Sequence, residues 1–251
     1  MTGLFEHYRT ALLGTSPPSP SSEALLISSS GRLATYYAPF DHVNPRARLV
    51  LLGITPGRHQ AAVGIAELRR ALGLGFPAPK ALEAAKSAAS FSGPMRHSLT
   101  QMLDFVGTNR ALGVTTCDEL FRPGLDLVHF TSAIRYPVFA DGDNYSGSPP
   151  ILKTPYLEQM LGWLKEEAEH LRGAFWVPLG REPAAVLRHF AGCGLLSRQN
   201  ILFGLPHPSG ANAERIAYFL GRKPKSLLSS KTRPEPIDDA KRQLQQQLES
   251  I

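Results

Sequence analysis

Four short apolar runs, each closed by a turn residue or a polar turn, constrain this chain more than any other feature. They are RLVLLGITPG at 48–57, DLVHFTS at 126–132, AFWVPLG at 174–180 and NILFGLP at 200–206. Each is far shorter than the roughly 20 residues of a membrane span, and too continuous for a strand with one wet face, which alternates. They read as strands buried on both faces. Helical spacing fills the intervals, most clearly over 155–172. There Thr154 can cap, Pro155 suits the first turn, and Leu157, Leu161, Leu164, Ala168 and Leu171 recur on one face. Buried strands alternating with helices predict a three-layer α/β/α sandwich around a four-stranded, mostly parallel sheet. Ligands of such sheets sit outside the carboxyl ends of the strands. The segments TPGRHQ, TSAIRYPVFADGDNYSG, GREP and HPSGAN are therefore expected to converge on one crevice.

At 251 residues, 43% of them hydrophobic, the chain can bury a full core. Leu4, Phe5, Tyr8, Leu12 and Leu13 form a helical stripe, and TSPPSPSS at 15–22 cannot continue a helix, so residues 1–22 read as an N-terminal helix and linker. Residues 23–225 hold the α/β pattern, and 226–251 a basic, proline-broken linker and a glutamine-rich C-terminal helix. Lys and Arg number 27 against 21 Asp and Glu, a formal charge of +6 that favours a polyanionic partner. Cys117 and Cys193 are too few for a disulfide framework or a four-thiolate cluster, and a reducing cytoplasm suits them. The charged start MTGLFEHYRTALLG is unlike a secretory signal. The eight histidines show no H-E-x-x-H spacing, so no metal is expected.

Two turns carry chemistry. Gly53, Pro56 and Gly57 follow the first strand, and His207, Pro208 and Ser209 end the last. Each is a weak signal alone. Together, YYAPFDHVNPRARLVLLGITPG at 36–57 and HPSGAN at 207–212 resemble the two signature motifs of the uracil-DNA glycosylase superfamily, nearest its single-strand-selective monofunctional branch. The resemblance spans roughly residues 36–222 and is specific in those two motifs. It implies a monomeric, cofactor-free DNA glycosylase that flips a nucleotide out of single- or double-stranded DNA and hydrolyses its glycosidic bond with water. His207 would donate to the base carbonyl as negative charge develops there. Ser209 and the amides behind it would hold a phosphate, although a turn-capping role for that serine stands equally. The segment through Asn212 would wedge into the gap left by the flipped base, with Arg215, Arg222, Lys223 and Lys225 close by on the DNA side.

Two positions depart from the pattern. Thr55 stands where the branch has an Asn that holds the attacking water, and a hydroxyl orients water but is a poor base. Phe130 aligns near the Asn that reads the uracil edge, and a phenyl ring supplies neither donor nor acceptor. Either Ser132 or Asn144 reads the edge, or the base is not plain uracil but another altered, even bulky, pyrimidine. Gly53, Ile54, Pro56 and Gly57 would line the base pocket. Arg58 and His59 would face DNA, His59 alternatively activating water or simply meeting solvent at a helix start. Phe76 and Phe91 are candidates for the ring that stacks on the base, with core packing the competing role. Tyr136 and Tyr145 would stack on neighbouring bases or pack within their loop. No Lys accompanies either motif, which disfavours Schiff-base lyase chemistry. Two other readings stand. One is a nucleic-acid-binding protein of the same fold with weak or no activity. The other is a nucleotide hydrolase with Ser209 as nucleophile, which lacks a Gly-x-Ser-x-Gly elbow.

Overall fold

The structure is a computed structural model and describes residues 3–122 and 124–249, so residues 1, 2, 250 and 251 of the two end segments lie outside it. In chain order, α1 (Gly3–Leu12) precedes β1 (Leu26–Ser30), β2 (Leu33–Tyr36) and β3 (Leu49–Gly53). Four helices follow: α2 (Arg58–Gly73), α3 (Ala78–Ala89), α4 (Pro94–Val106) and α5 (Thr108–Leu112). Then come β4 (Val128–Ser132), β5 (Val138–Ala140), β6 (Asp143–Asn144), α6 (Pro155–Gln159), α7 (Gly162–His170), β7 (Phe175–Pro178), α8 (Arg181–Gly192), α9 (Ala213–Phe219) and α10 (Pro234–Leu248).

The central sheet has the order β4-β3-β7, all parallel. Every residue of β3 is buried, as its unbroken apolar run requires. Leu49 and Leu51 point into one core, with Leu99, Met102 and Leu103 of α4, Phe219 of α9 and Leu244 and Leu248 of α10. Val50 and Leu52 point into the other, with Leu157 of α6, Leu164 of α7 and Val186, Leu187 and Phe190 of α8. The period-2 split puts helices on both faces, which is the three-layer α/β/α sandwich expected. The fourth apolar run takes its place beside β7 but pairs at one point only, a parallel bridge from Ile201 to Trp176 with the Leu202 N–H donating to the Trp176 carbonyl at 2.8 Å. Gly204 then turns the chain at φ +115, and Pro206 and Pro208 cannot donate to a ladder.

A second, antiparallel sheet, β1-β2-β5-β6, escaped the sequence reading. Its β5–β6 hairpin turns at Asp141 and Gly142, both at positive φ, as a tight hairpin of this hand requires. The helix expected over 155–172 is two helices. Met160 and Leu161 form a tightened turn of i to i+3 bonds just before Gly162, a poor helix former. The stripe survives the joint, since Leu157, Leu161, Leu164, Ala168 and Leu171 share one core. Phe5, Tyr8 and Leu12 of α1 pack with Leu25, Tyr37, Leu68 and Leu82, whereas Leu13 is left exposed.

The free edge of β4 is closed by Asn44, whose Nδ2 donates to the carbonyls of Asp126 and Val128, each at 3.0 Å. Beneath it lies a buried charge cluster. Glu167 accepts from Arg135 Nε at 2.7 Å and from His129 Nε2 at 3.2 Å, and Lys86 Nζ lies 3.9 Å away while donating to the His42 carbonyl. Burial alone would raise the Glu167 carboxyl, but Lys86, Arg135 and His129 together hold it well below the usual range. The Asn44 N–H donates to His129 Nδ1 at 3.4 Å, so the neutral ring carries its proton on Nε2.

Burial, and then the charge of Lys86, lower the His129 pKa from 6.5 to about 4. Between those values the unfolded chain binds a proton that the folded chain refuses, so stability falls as pH drops through that window. The loss from this group is on the order of 3 kcal/mol. Denaturant titrations from pH 7 to pH 4 should show it, and a His129→Gln variant should flatten that part of the slope.

Candidate active site

Parallel pairing brings Gly53, Ser132 and Pro178 to the same end of the sheet, with the segment after Ile201 beside them. The predicted crevice forms there, a cavity of about 840 Å³ walled by all four predicted segments. Of the residues singled out from the sequence, Gly53, Ile54, Thr55, Pro56, Gly57, His59, Phe91, Phe130, Ser132, Asn144, Tyr145, His207, Ser209, Asn212 and Arg215 line it. Four others do not. Phe76 follows α2, whose 16 residues carry it about 24 Å from the strand ends, and its ring lies in solvent there. Arg58 is turned away, bonded to Ser21 Oγ and the Gly142 carbonyl and lying over the Phe139 ring. Lys223 is paired with Glu214 at 2.6 Å. Tyr136 is buried, its hydroxyl donating to Asp41 Oδ1 at 2.9 Å.

The first motif is a tight junction. A Cβ at Gly53 would stand 3.3 Å from Ser132 Oγ and 3.4 Å from the Phe91 ring, so glycine allows the strand end to meet both. Phe91 holds an uncommon φ of +51 and presents its edge to Phe130, 6.1 Å between centroids. Phe130 also stacks on Phe121 at 4.7 Å, making an aromatic wall where an edge-reading amide was expected. The Asn144 amide is occupied on one side, since its Oδ1 caps α2 by accepting from the Arg58 N–H at 2.8 Å. Ser132 Oγ, at the end of β4, has no hydrogen-bond partner among the described residues.

The hydroxyl of Thr55 is committed twice. It donates to the Tyr136 carbonyl at 2.8 Å and accepts from the Val138 N–H at 3.1 Å, tying the first motif to the strand leading into β5. In the second motif, His207 packs on Gly180, where φ is +98 and a Cβ would come within 3.2 Å of the histidine. The Ser209 N–H donates to His207 Nδ1 at 3.3 Å. Burial lowers the His207 pKa, so the ring is neutral with its proton on Nε2, which has no protein partner among the described residues. Asn212 Nδ2 donates to Ser209 Oγ at 3.3 Å, and Arg215 donates to Asn212 Oδ1 and, at 3.4 Å, to the Lys231 carbonyl. Glu214 beside it gathers Lys223, Ser229 and Thr232.

Sequence reasoning missed four charged residues of the wall, Arg181 at the start of α8 among them. Lys86 and Arg135 stand deep in it, and Glu182 is held by the Ile151 N–H. Glu182 had a signal, its place in the GREP segment. Lys86, in an alanine-rich helix, had none. Among the described residues no three of His, Cys, Asp and Glu gather as a metal-binding group, and no helix is long and apolar enough to cross a membrane.

The family to which this parallel sheet, aromatic wall and neutral histidine belong follows from comparison with known proteins. Residues 40–244 match the Uracil DNA glycosylase superfamily, and the chain belongs to it. It is 35% identical over 201 residues to an uncharacterized protein, YoxB, of Bacillus subtilis (strain 168), covering 78% of each chain. No solved structure matches. Membership supports a glycosylase-type activity on DNA in general terms.

With both bonds of Thr55 lost and its shape kept, Thr55→Val should lower stability by about 1–3 kcal/mol, because a carbonyl and an N–H are left unmet. Phe130→Asn, which empties half of a stacked pair in the core, should cost about 3 kcal/mol or more. Denaturant unfolding checks both.

Proposed function

We propose that this protein is a monofunctional DNA glycosylase that hydrolyses the glycosidic bond of uracil or another altered pyrimidine flipped into the cavity. The observation that carries this reading is the state of His207. Its Nδ1 is tied back to the Ser209 N–H, which leaves an Nε2–H donor free at the end of the sheet. A donor preset where the departing base turns anionic stabilises the transition state more than the ground state. The aromatic wall of Phe91 and Phe130 suits a planar base, and Ser132 Oγ is an unspent polar group beside it. At the mouth, His59, Arg181 and Arg215 are exposed and suit phosphates, with the Ser209 hydroxyl still able to donate.

A second reading, a DNA-binding protein without the chemistry, draws on the commitment of the Thr55 hydroxyl. The two differ in one assay. Oligonucleotides each carrying one altered base are incubated with the protein, abasic sites are cleaved with alkali, and shortened strands are sought. A glycosylase shortens at least one member of the panel. A mere binder shortens none, yet binds with an affinity that falls steeply with salt.

On a released base, His207→Ala should leave DNA affinity within a few-fold and slow single-turnover release by about a hundredfold or more. Parent-like release by that variant, with its circular dichroism unchanged, would remove the mechanism.

A further inference from the structure

Glycosidic hydrolysis needs more than a donor at the base. Something must accept the proton of the attacking water, and negative charge near the sugar steadies it as it becomes electron-poor. Thr55 supplies neither, since its proton is held by the Tyr136 carbonyl. Among the described residues lining the cavity, Lys86, Arg135, Arg181 and Arg215 carry positive charge, and Glu182 alone carries a carboxylate.

Its placement is built. Glu182 is the second residue of α8, entered from β7 through Gly180, the glycine on which His207 packs. Glu182 Oε2 accepts from the Ile151 N–H at 3.0 Å, and Gly147 lies against its Cγ, where an added Cβ would come within 2.8 Å. Those two contacts from the 147–151 segment fix the side chain. Glu182 Oε1 has no hydrogen-bond partner among the described residues. The charge of Glu182 is also felt at Tyr145, whose phenol is pushed up by burial and then by that charge. One oxygen is anchored and the other is open, on the wall that carries the histidine.

We propose that Glu182 is the catalytic base of this site, taking the proton of the water that attacks the sugar. The assignment rests on the glycosylase reading. In the step, the water oxygen bonds to C1′ while the C1′–N bond breaks and its electron pair leaves with the base. His207 steadies that charge through its Nε2–H, the proton of the water passes to Glu182 Oε1, and the base then takes a proton from solvent. Glu182 returns its own proton to solvent, so the cycle closes without a co-reactant. The base therefore comes from the third strand end rather than from the motif after the first.

The competing role is structural, holding the 147–151 segment through Ile151. Glu182→Gln separates the two, because the amide oxygen still accepts from the Ile151 N–H but cannot take up a proton. Single-turnover release is measured on an oligonucleotide that the wild type cuts, alongside DNA affinity and the unfolding midpoint. Glu182→Gln should release base about a hundredfold more slowly or worse, with affinity not weakened and the midpoint unchanged. Glu182→Ala should be as slow and regain part of its rate in sodium formate, a carboxylate small enough for the vacated space. Release by Glu182→Gln within threefold of wild type overturns the assignment, as does slow release with a lowered midpoint and no rescue of Glu182→Ala by formate. A wild type that cuts no altered base removes the glycosylase reading and this assignment with it, whereas equal activity of wild type and Glu182→Gln removes the assignment alone.

Discussion

The hydrogen-bonded ladder on both sides of β3 is the constraint on which the rest depends. Five residues, Leu49 to Gly53, pair in register with Val128 to Ser132, and four of them with Phe175 to Pro178. A shift of one residue in a parallel strand would turn its side chains to the opposite core, so both helical layers enforce the register. The register then fixes which residues stand at the strand ends. Gly53 meets Ser132 and Phe91 because the ladder stops where it does, and His207 reaches the same end by following the bridge at Ile201.

What the sequence revealed follows from how local its signals are. The central strands and both motifs were legible because an apolar run and a turn residue are read within a few positions. The small second sheet was not, since β5 and β6 are three and two residues long and the pairing of β5 with β2 joins segments about a hundred positions apart. Phe76 was misplaced for a related reason, that composition does not show how far a helix carries its end. Thr55 was legible as a residue but not as a bonded one, because both its partners, the Tyr136 carbonyl and the Val138 N–H, are backbone groups some eighty positions away. Glu182 and Lys86 gain meaning only from what faces them across the cavity.

Polar groups around the cavity divide into those spent on holding it together and those left open. Thr55, Arg58 and one oxygen of Asn144 bind the first motif to β5, β6 and the segment before β1. Arg135 and Lys86 share the one carboxylate of Glu167 below. Among those left open are the Nε2–H of His207, the hydroxyl of Ser132 and one oxygen of Glu182, together with the hydroxyls of Ser92 and Thr131. Cores leave few polar atoms unmatched, so unspent donors and acceptors gathered at one sheet end mark where a ligand completes the pairing.

The chain of bonds from Ser209 through Asn212 and Arg215 to the Lys231 carbonyl runs out of the cavity and into the segment before α10. Glu214 fastens the same segment through Lys223, Ser229 and Thr232, and α10 is itself clamped by Leu244 and Leu248 in the core. The histidine loop is thus moored like a tent by a guy line, with its peg driven some twenty residues downstream. Slack in that peg, from a nick or from a tag that pries α10 away, would be felt as play at the imidazole, although nothing in the cavity itself had changed.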